Sequence, residues 1–372
     1  MAQDFPVIDG DGHVYENDAS LIKYYEGPHA IKKRNVALSL FPSLDGWQRG
    51  VMHERDDGNP NRPFHTDAGI WTAALDRFHY RGAVLFPTAG LGIGLMRDRN
   101  FASASATAYN NWMEDNYTSK DDRLYGVGLT PVLDPEAAAA ELRLCATKRT
   151  NFACMVLPTV TCSPLKYGDE FFWPIFEEAE RHGIPLALHG GPSGGFGLDF
   201  LSPFYQVHAL AHPVPLFIQL TSIICSGVLE TFPKLRFVCL EAGASWVPFL
   251  MDRLDSEYEK IFSKQLRAKL PRPPSAYFRD GDNLWVSCEL EEKGLKYVID
   301  AIGPDRIIYS SDFPHEPTEN SIAAAVPEFL HNPIYSDAVK RKILHDNAVK
   351  LYHITERGIE RPLMPAKAAA AD

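Results

Sequence analysis

Eight continuous apolar runs, each separated from the next by a stretch with helical spacing, recur along the 372-residue chain and restrict its fold more than any other feature. The first opens the stretch 7–16, and the others occupy 82–87, 124–131, 152–158, 184–189, 235–241, 284–289 and 307–312. Helices are expected between them at about 69–80, 101–115, 135–149, 172–182 (with Gly183 as C-cap), 215–232, 246–260 and 295–302, and a last one at 336–351. A strand covered on both faces reads as an unbroken apolar run, whereas a half-exposed strand alternates. Eight strand–helix units therefore predict an α/β fold, a (β/α)8 TIM-like barrel, with residues 1–365 as one domain and the Ala-rich 366–372 as a loose tail.

Composition narrows the partners. The formal net charge is −11, and the 37 basic residues never gather in a long run, so a nucleic-acid partner is excluded and a small molecule is expected. A homo-oligomer stays open. Met1-Ala2-Gln3-Asp4 has neither the basic patch nor the apolar run of a signal peptide, and no window approaches the roughly 18 apolar residues of a membrane span, so a cytoplasmic protein with no membrane partner is predicted. Cys145, Cys154, Cys162, Cys225, Cys239 and Cys288 lack a C-x-x-C spacing and are expected to be reduced and buried.

In barrels of this kind the chemistry collects where the strands end. The first run ends in Asp11 and His13, the fifth in His189, the sixth in Glu241, the seventh in Glu289 and the eighth in Asp312. Strand side chains repeat every second residue, so Asp11 and His13 point the same way, and carboxylate with imidazole is the donor set of zinc, manganese or iron. Glu16 and Glu289 add carboxylate near the same mouth. His208 and His212 stand four apart, so on a helix they would share a face, as paired ligands or proton-transfer groups do; the expectation is one packed and one functional. His315, beside a proline, reads as a supporting residue or an exposed loop histidine.

Residues 17–66 are too long and too rich in Pro, Gly and aromatics for an ordinary connection. They suit a lid over the mouth, with Trp47 and Phe41 as substrate walls, and suit an oligomer contact or packing equally well.

Together these residues resemble the amidohydrolase superfamily, in detail its decarboxylase-like branch of metal-dependent barrels. The likeness runs over nearly the whole chain and rests on Ile8-Asp9-Gly10-Asp11-Gly12-His13, Leu186-Ala187-Leu188-His189, Phe232-Pro233-Lys234-Leu235 leading into the segment from Ser245-Trp246 to Leu254-Asp255, and Tyr309-Ser310-Ser311-Asp312-Phe313-Pro314-His315. It implies Asp11, His13, His189 and Asp312 as metal ligands. Members of the branch often carry a His-x-Gly segment after strand six, whose histidine handles protons, but here the segment is Glu241-Ala242-Gly243-Ala244. Proton handling then falls to His208, His212, His315 or Glu241, unless Glu241, with Glu16, is itself a ligand and two ions are held.

Three functions compete. A metal-dependent enzyme that hydrolyses or non-oxidatively decarboxylates a small carboxylate or carbonyl compound comes first, its ion polarising the substrate. A non-haem di-iron monooxygenase acting on an apolar substrate, known among proteins that resemble this branch, would use the same carboxylate and imidazole set. An inactive ligand-binding barrel would have no need of four metal ligands.

Overall fold

A computed structural model describes residues 5–30, 39–42, 65–191, 195–201, 204–261, 263–315, 319–356 and 358–361. Eight parallel strands lie in sequence order: β1 (Ile8–Val14), β2 (Gly82–Pro87), β3 (Leu124–Leu129), β4 (Phe152–Pro158), β5 (Leu186–His189), β6 (Phe237–Cys239), β7 (Leu284–Cys288) and β8 (Ile307–Tyr309). Every residue of these strands is buried, as their unbroken apolar character predicts. The sheet curls into a nearly closed barrel, and the residues after β8 bridge to β1: Asp312 N donates to Asp11 O at 3.0 Å and His13 N donates to Phe313 O at 2.7 Å. These two bonds sit beside the functional ends of β1 and β8, so the seam and the site are one region.

The helices start and stop on local signals. Asp67, Asp98 and Asp134 cap the helices Ala68–Phe78, Arg99–Met113 and Pro135–Thr147 by accepting from the backbone N–H three residues on. Gly183 closes Trp173–His182 with φ 61°, as its position predicts. The expected 215–232 helix is instead Pro213–Cys225 followed by Val228–Thr231, because Gly227 at φ 78° breaks it. Phe204–Ala211, Lys264–Lys269, Pro274–Arg279 and Glu319–His331 are helices that the periodicity left as connections. A short hairpin, β9 (Ile354–Thr355) with β10 (Gly358–Ile359), follows the last helical segment, which runs from Asp337 to Tyr352 with a π turn at Lys342–Asp346. The tail 366–372 and most of 17–66 lie outside the described residues.

Among the described residues one stretch, Tyr205–Cys225, is long and apolar enough for a membrane span, with mean hydropathy 1.4 over a window that is half buried in the barrel. Its two histidines belong to the site described below. All six cysteines are free, but only Cys145, Cys154, Cys239 and Cys288 are buried; Cys162 is half-buried and Cys225, at the end of its helix, is exposed. The expectation of six buried thiols is corrected there.

Candidate metal centre

The polar end of β1 splits into two tasks. Its pairing with β2 shifts register between Asp9 and Gly12, and Asp9 goes to β8, accepting from Ser311 N at 3.0 Å and Ser311 Oγ at 2.5 Å. Asp11 and His13 instead meet His189 of β5, with the three ligand atoms within 4.8 Å of one another. A Cβ on Gly12 would lie 2.3 Å from the Trp71 ring, so glycine is what lets the covering helix close on β1 here.

The two histidines are oriented from behind. His13 Nδ1 lies 3.0 Å from Pro87 O and His189 Nδ1 lies 2.7 Å from Gly190 O. A carbonyl only accepts, so each Nδ1 donates and each Nε2 is the atom left to coordinate. Asp11 Oδ1 is 3.6 Å from His13 Nε2 and 3.4 Å from His189 Nε2. His13 Nε2 is also 3.4 Å from Asp312 Oδ1. Asp11 Oδ1 and both Nε2 atoms are buried without a hydrogen-bond partner. Unmatched buried polar atoms cost about 1–3 kcal/mol each, and three that face one another are satisfied together by one cation. The donor set of two imidazoles and two carboxylates fits a divalent zinc, manganese or iron ion.

Asp312 and Glu241 reach the cluster by the same backbone device. Both follow the last residues of their strands in the left-handed region, at φ 52° and φ 54°, a conformation that costs a non-glycine residue on the order of 1 kcal/mol. The loop after β6 is pinned by Glu292, whose carboxylate accepts from Ala244 N and Ser245 N at 3.0 Å and from Ser245 Oγ at 2.7 Å. Glu241 Oε2 then lies 3.5 Å from His189 Nε2 and 3.2 Å from His212 Nδ1. His208, His212 and Glu241 form a further group whose ligand atoms lie within 4.8 Å of one another. Sequence spacing predicts one packed and one functional histidine; the structure brings both to Glu241.

Charge is unevenly spread over these groups. Burial raises the Glu241 carboxyl well above its usual range, and the nearby Asp312 charge pushes it further. Burial opposes charge on His189 as well, but the Asp11 carboxylate, with Glu241, outweighs it and raises the ring to about 9. Asp312 behaves oppositely: burial would raise it, yet His315 and His13 hold it below the usual carboxylate range. His315, which the sequence leaves as a supporting residue or an exposed loop histidine, is half-buried, with Nδ1 at 2.9 Å from Asp312 Oδ1 and Nε2 at 2.8 Å from Thr88 Oγ1, and its ligand atom lies within 4.8 Å of those of His13 and Asp312.

Other expected residues fall elsewhere. The Glu16 carboxylate accepts from the backbone N–H groups of Ala89 at 2.9 Å and Gly90 at 2.7 Å, so it secures the turn after β2 and joins none of the ligand groups. Glu289 follows β7 with an exposed side chain, also outside these groups. Phe41 is 2 % exposed and belongs to the main hydrophobic core, which gives it packing in place of an open wall. Trp47 lies outside the described residues. Sequence reasoning missed Asp9, Thr88 and Glu292: Asp9 stands inside the first motif and was separable from Asp11 only by the register shift, while Thr88 and Glu292 carry no signal beyond following a strand.

A parallel barrel with buried carboxylate and imidazole donors at the C-terminal ends of β1, β5 and β8 defines a metal-dependent barrel enzyme. The chain belongs to the amidohydrolase family, whose model matches residues 8–354. Among its relatives, the gamma-resorcylate decarboxylase of Polaromonas sp. is 26% identical over 269 residues, covering 69% of this chain and 78% of that protein. The 2-amino-3-carboxymuconate-6-semialdehyde decarboxylase of Dictyostelium discoideum is 25% identical over 232 residues, 61% of this chain and 60% of that one. Among solved structures, a dihydroxybenzoic acid decarboxylase from Polaromonas sp. with bound manganese and 2-nitroresorcinol superposes with TM-score 0.70 at 21% identity, covering 94% of this chain and 97% of that one. The 5-carboxyvanillate decarboxylase of Sphingomonas paucimobilis gives 0.69 at 23% identity, covering 94% and 100%. These likenesses agree on the barrel.

Proposed function

We propose that this chain is a metal-dependent, non-oxidative decarboxylase of a small unsaturated carboxylic acid, in the first instance an aromatic hydroxy acid. The observation that supports the reading is the convergence of Asp11, His13, His189 and Asp312, three of them with buried unpartnered donor atoms, in a family whose relatives named above remove carboxylate groups. These four residues would hold a divalent ion, manganese by preference, which supplies Lewis acidity to a substrate carboxylate and an adjacent oxygen.

Loss of carbon dioxide leaves a carbon that needs one proton, and the chain carries a group to deliver it. His315 is the proton carrier of this reading. Its ring is half-buried beside Asp312, and although desolvation opposes its charge, the Asp312 carboxylate raises its affinity for a proton. Thr88, on its other nitrogen, orients the ring. Trp47 remains the proposed substrate wall from the loop 17–66. A cytoplasmic setting suits six free thiols.

The test is a panel of manganese-loaded assays with 2,6-dihydroxybenzoate, 5-carboxyvanillate and related hydroxybenzoates, following carbon dioxide release and the product phenol. Release from at least one acid, abolished by Asp312→Asn, supports decarboxylation. Ester or amide cleavage without carbon dioxide would return the chain to hydrolysis. A second reading, dioxygen chemistry at two irons, draws on the additional His208, His212 and Glu241 group; its signature is oxygen uptake by the iron-loaded protein with a phenolic substrate.

A further inference from the structure

We propose that the outer face of the helix pair Phe204–Ala211 and Pro213–Cys225 is an interface on which a second copy of this chain packs. The surface lies on the side of the barrel, and the proposal stands independently of the decarboxylase reading.

From Phe200 to Leu229 the chain has no Asp, Glu, Lys or Arg. The two helices follow one another through His212, whose backbone stays helical at φ −84° and ψ −54°. They form nearly one rod of 21 residues, Tyr205–Cys225, about 30 Å long at ~1.5 Å per residue. One side of the rod is spent on the barrel, where Val207, Ala211, Leu216, Leu220 and Ile223 are fully buried. The other side is apolar as well. Leu210, Pro213, Val214, Phe217 and Ile218 recur at the i, i+3, i+4, i+7, i+8 spacing of a second apolar stripe, with Leu210 42 % exposed and the other four half-buried. Tyr205 extends the stripe at 67 % exposure, and Phe200, in the turn that leads into the rod, is 91 % exposed. A helix that is apolar all round is normally buried all round, and this one is covered on the barrel side alone. Other helices of the barrel turn charge outward: Glu136 and Arg143 on Pro135–Thr147, Asp252 and Arg253 on Val247–Tyr258, and Lys296 and Asp300 on Leu295–Ile302 are all exposed.

Charge identifies the occupant. At a net charge of −11 two copies of the chain repel one another over most of their surface, and the stripe is a face on which they meet without that cost. A face without charge is its own electrostatic complement, and a two-fold axis lays it on itself, as in isologous dimers. An anionic membrane surface is recognised by Lys and Arg beside the apolar face, and residues 200–229 supply neither. Crossing a membrane is closed to the rod, since half of its apolar window is buried in the barrel. A foreign protein selected by charge would find none here to pair with.

The experiment is sedimentation of the full chain over a concentration series, with hydroxyl-radical footprinting of the same samples. The wild type should sediment as a dimer or a multiple of one, and Phe200, Tyr205 and Leu210 should be labelled less as the concentration rises. Leu210→Glu and Val214→Glu should each weaken association by at least about 100-fold, because each brings like charges together without a counter-charge. Ala140→Glu, at an exposed position on Pro135–Thr147, should leave association unchanged. Footprinting of the unaltered chain decides the question even where a variant fails to fold. A wild type that stays monomeric, association unchanged in both variants, or equal labelling of the three residues at every concentration would overturn the proposal. So would a monomer that sediments with vesicles of phosphatidylethanolamine and phosphatidylglycerol, which would give the stripe to a membrane surface.

Discussion

His13 and His189 hold the same posture on strands four positions apart in the barrel: each donates from Nδ1 to a backbone carbonyl, Pro87 O or Gly190 O, and each turns Nε2 toward Asp11 Oδ1. The carbonyls fix the tautomer, and Asp11 is the common focus. Asp11→Asn should therefore weaken manganese binding by more than the about 10–100-fold typical of losing an orienting partner, and activity should fall in step with metal content. Metal analysis after dialysis checks it; an Asp11→Asn protein that keeps its full manganese would remove Asp11 from the ligand set.

Asp9 supports the site without joining it. Its carboxylate takes the Ser311 hydroxyl and backbone N–H one residue before Asp312. Ser311→Ala removes the shorter of the two bonds and should cost about 1–3 kcal/mol of stability, the usual penalty for leaving a buried acceptor without its partner. Thermal unfolding reads the loss. Manganese affinity should drop by about tenfold as the loop after β8 loosens.

Phe41 gives a prediction of a different kind. Buried in the core, Phe41→Ala should lower stability by about 3–5 kcal/mol, with the Michaelis constant of the folded fraction little changed. Trp47→Ala should do the reverse, raising the Michaelis constant with metal content intact. Denaturant unfolding together with steady-state kinetics separates the two.

Glu178 predicts an acid-sensitive fold. Burial alone would raise its pKa, but Arg143, with Nε at 2.5 Å, and His182, at 2.9 Å, outweigh it and hold the carboxyl below the usual range. A carboxyl depressed in the folded state contributes stability that is complete above its unfolded pKa and is lost as the pH falls through the folded value. Glu178→Gln should melt lower than wild type at pH 7, and the two should converge below about pH 4. A constant gap between the melting curves across that range would mean that the ion pair contributes no net stability.

The barrel was legible because its strands are apolar throughout and short, a pattern that only a doubly covered parallel sheet needs. The convergence of Asp11, His13, His189 and Asp312 was legible because each ends such a run. Glu16 misled for the same reason: it follows a strand and is acidic, but its carboxylate is used up by backbone N–H groups that composition cannot show. The helix Phe204–Ala211 showed in the sequence only as the four-residue spacing of His208 and His212, and their meeting with Glu241 depended on a tertiary contact that this spacing does not reveal.

The seam between β1 and β8 joins the beginning of the barrel to its end, since Asp312 N bonds to Asp11 O and the proposed ligands on either side come from residues 11–13 and 312. During synthesis the first two ligands leave the ribosome about 300 residues ahead of the last. At the usual pace of about 5–20 residues per second, they wait some tens of seconds for it. The complete centre therefore cannot assemble before the eighth strand is made, and cation capture becomes a late event that fastens a nearly finished barrel.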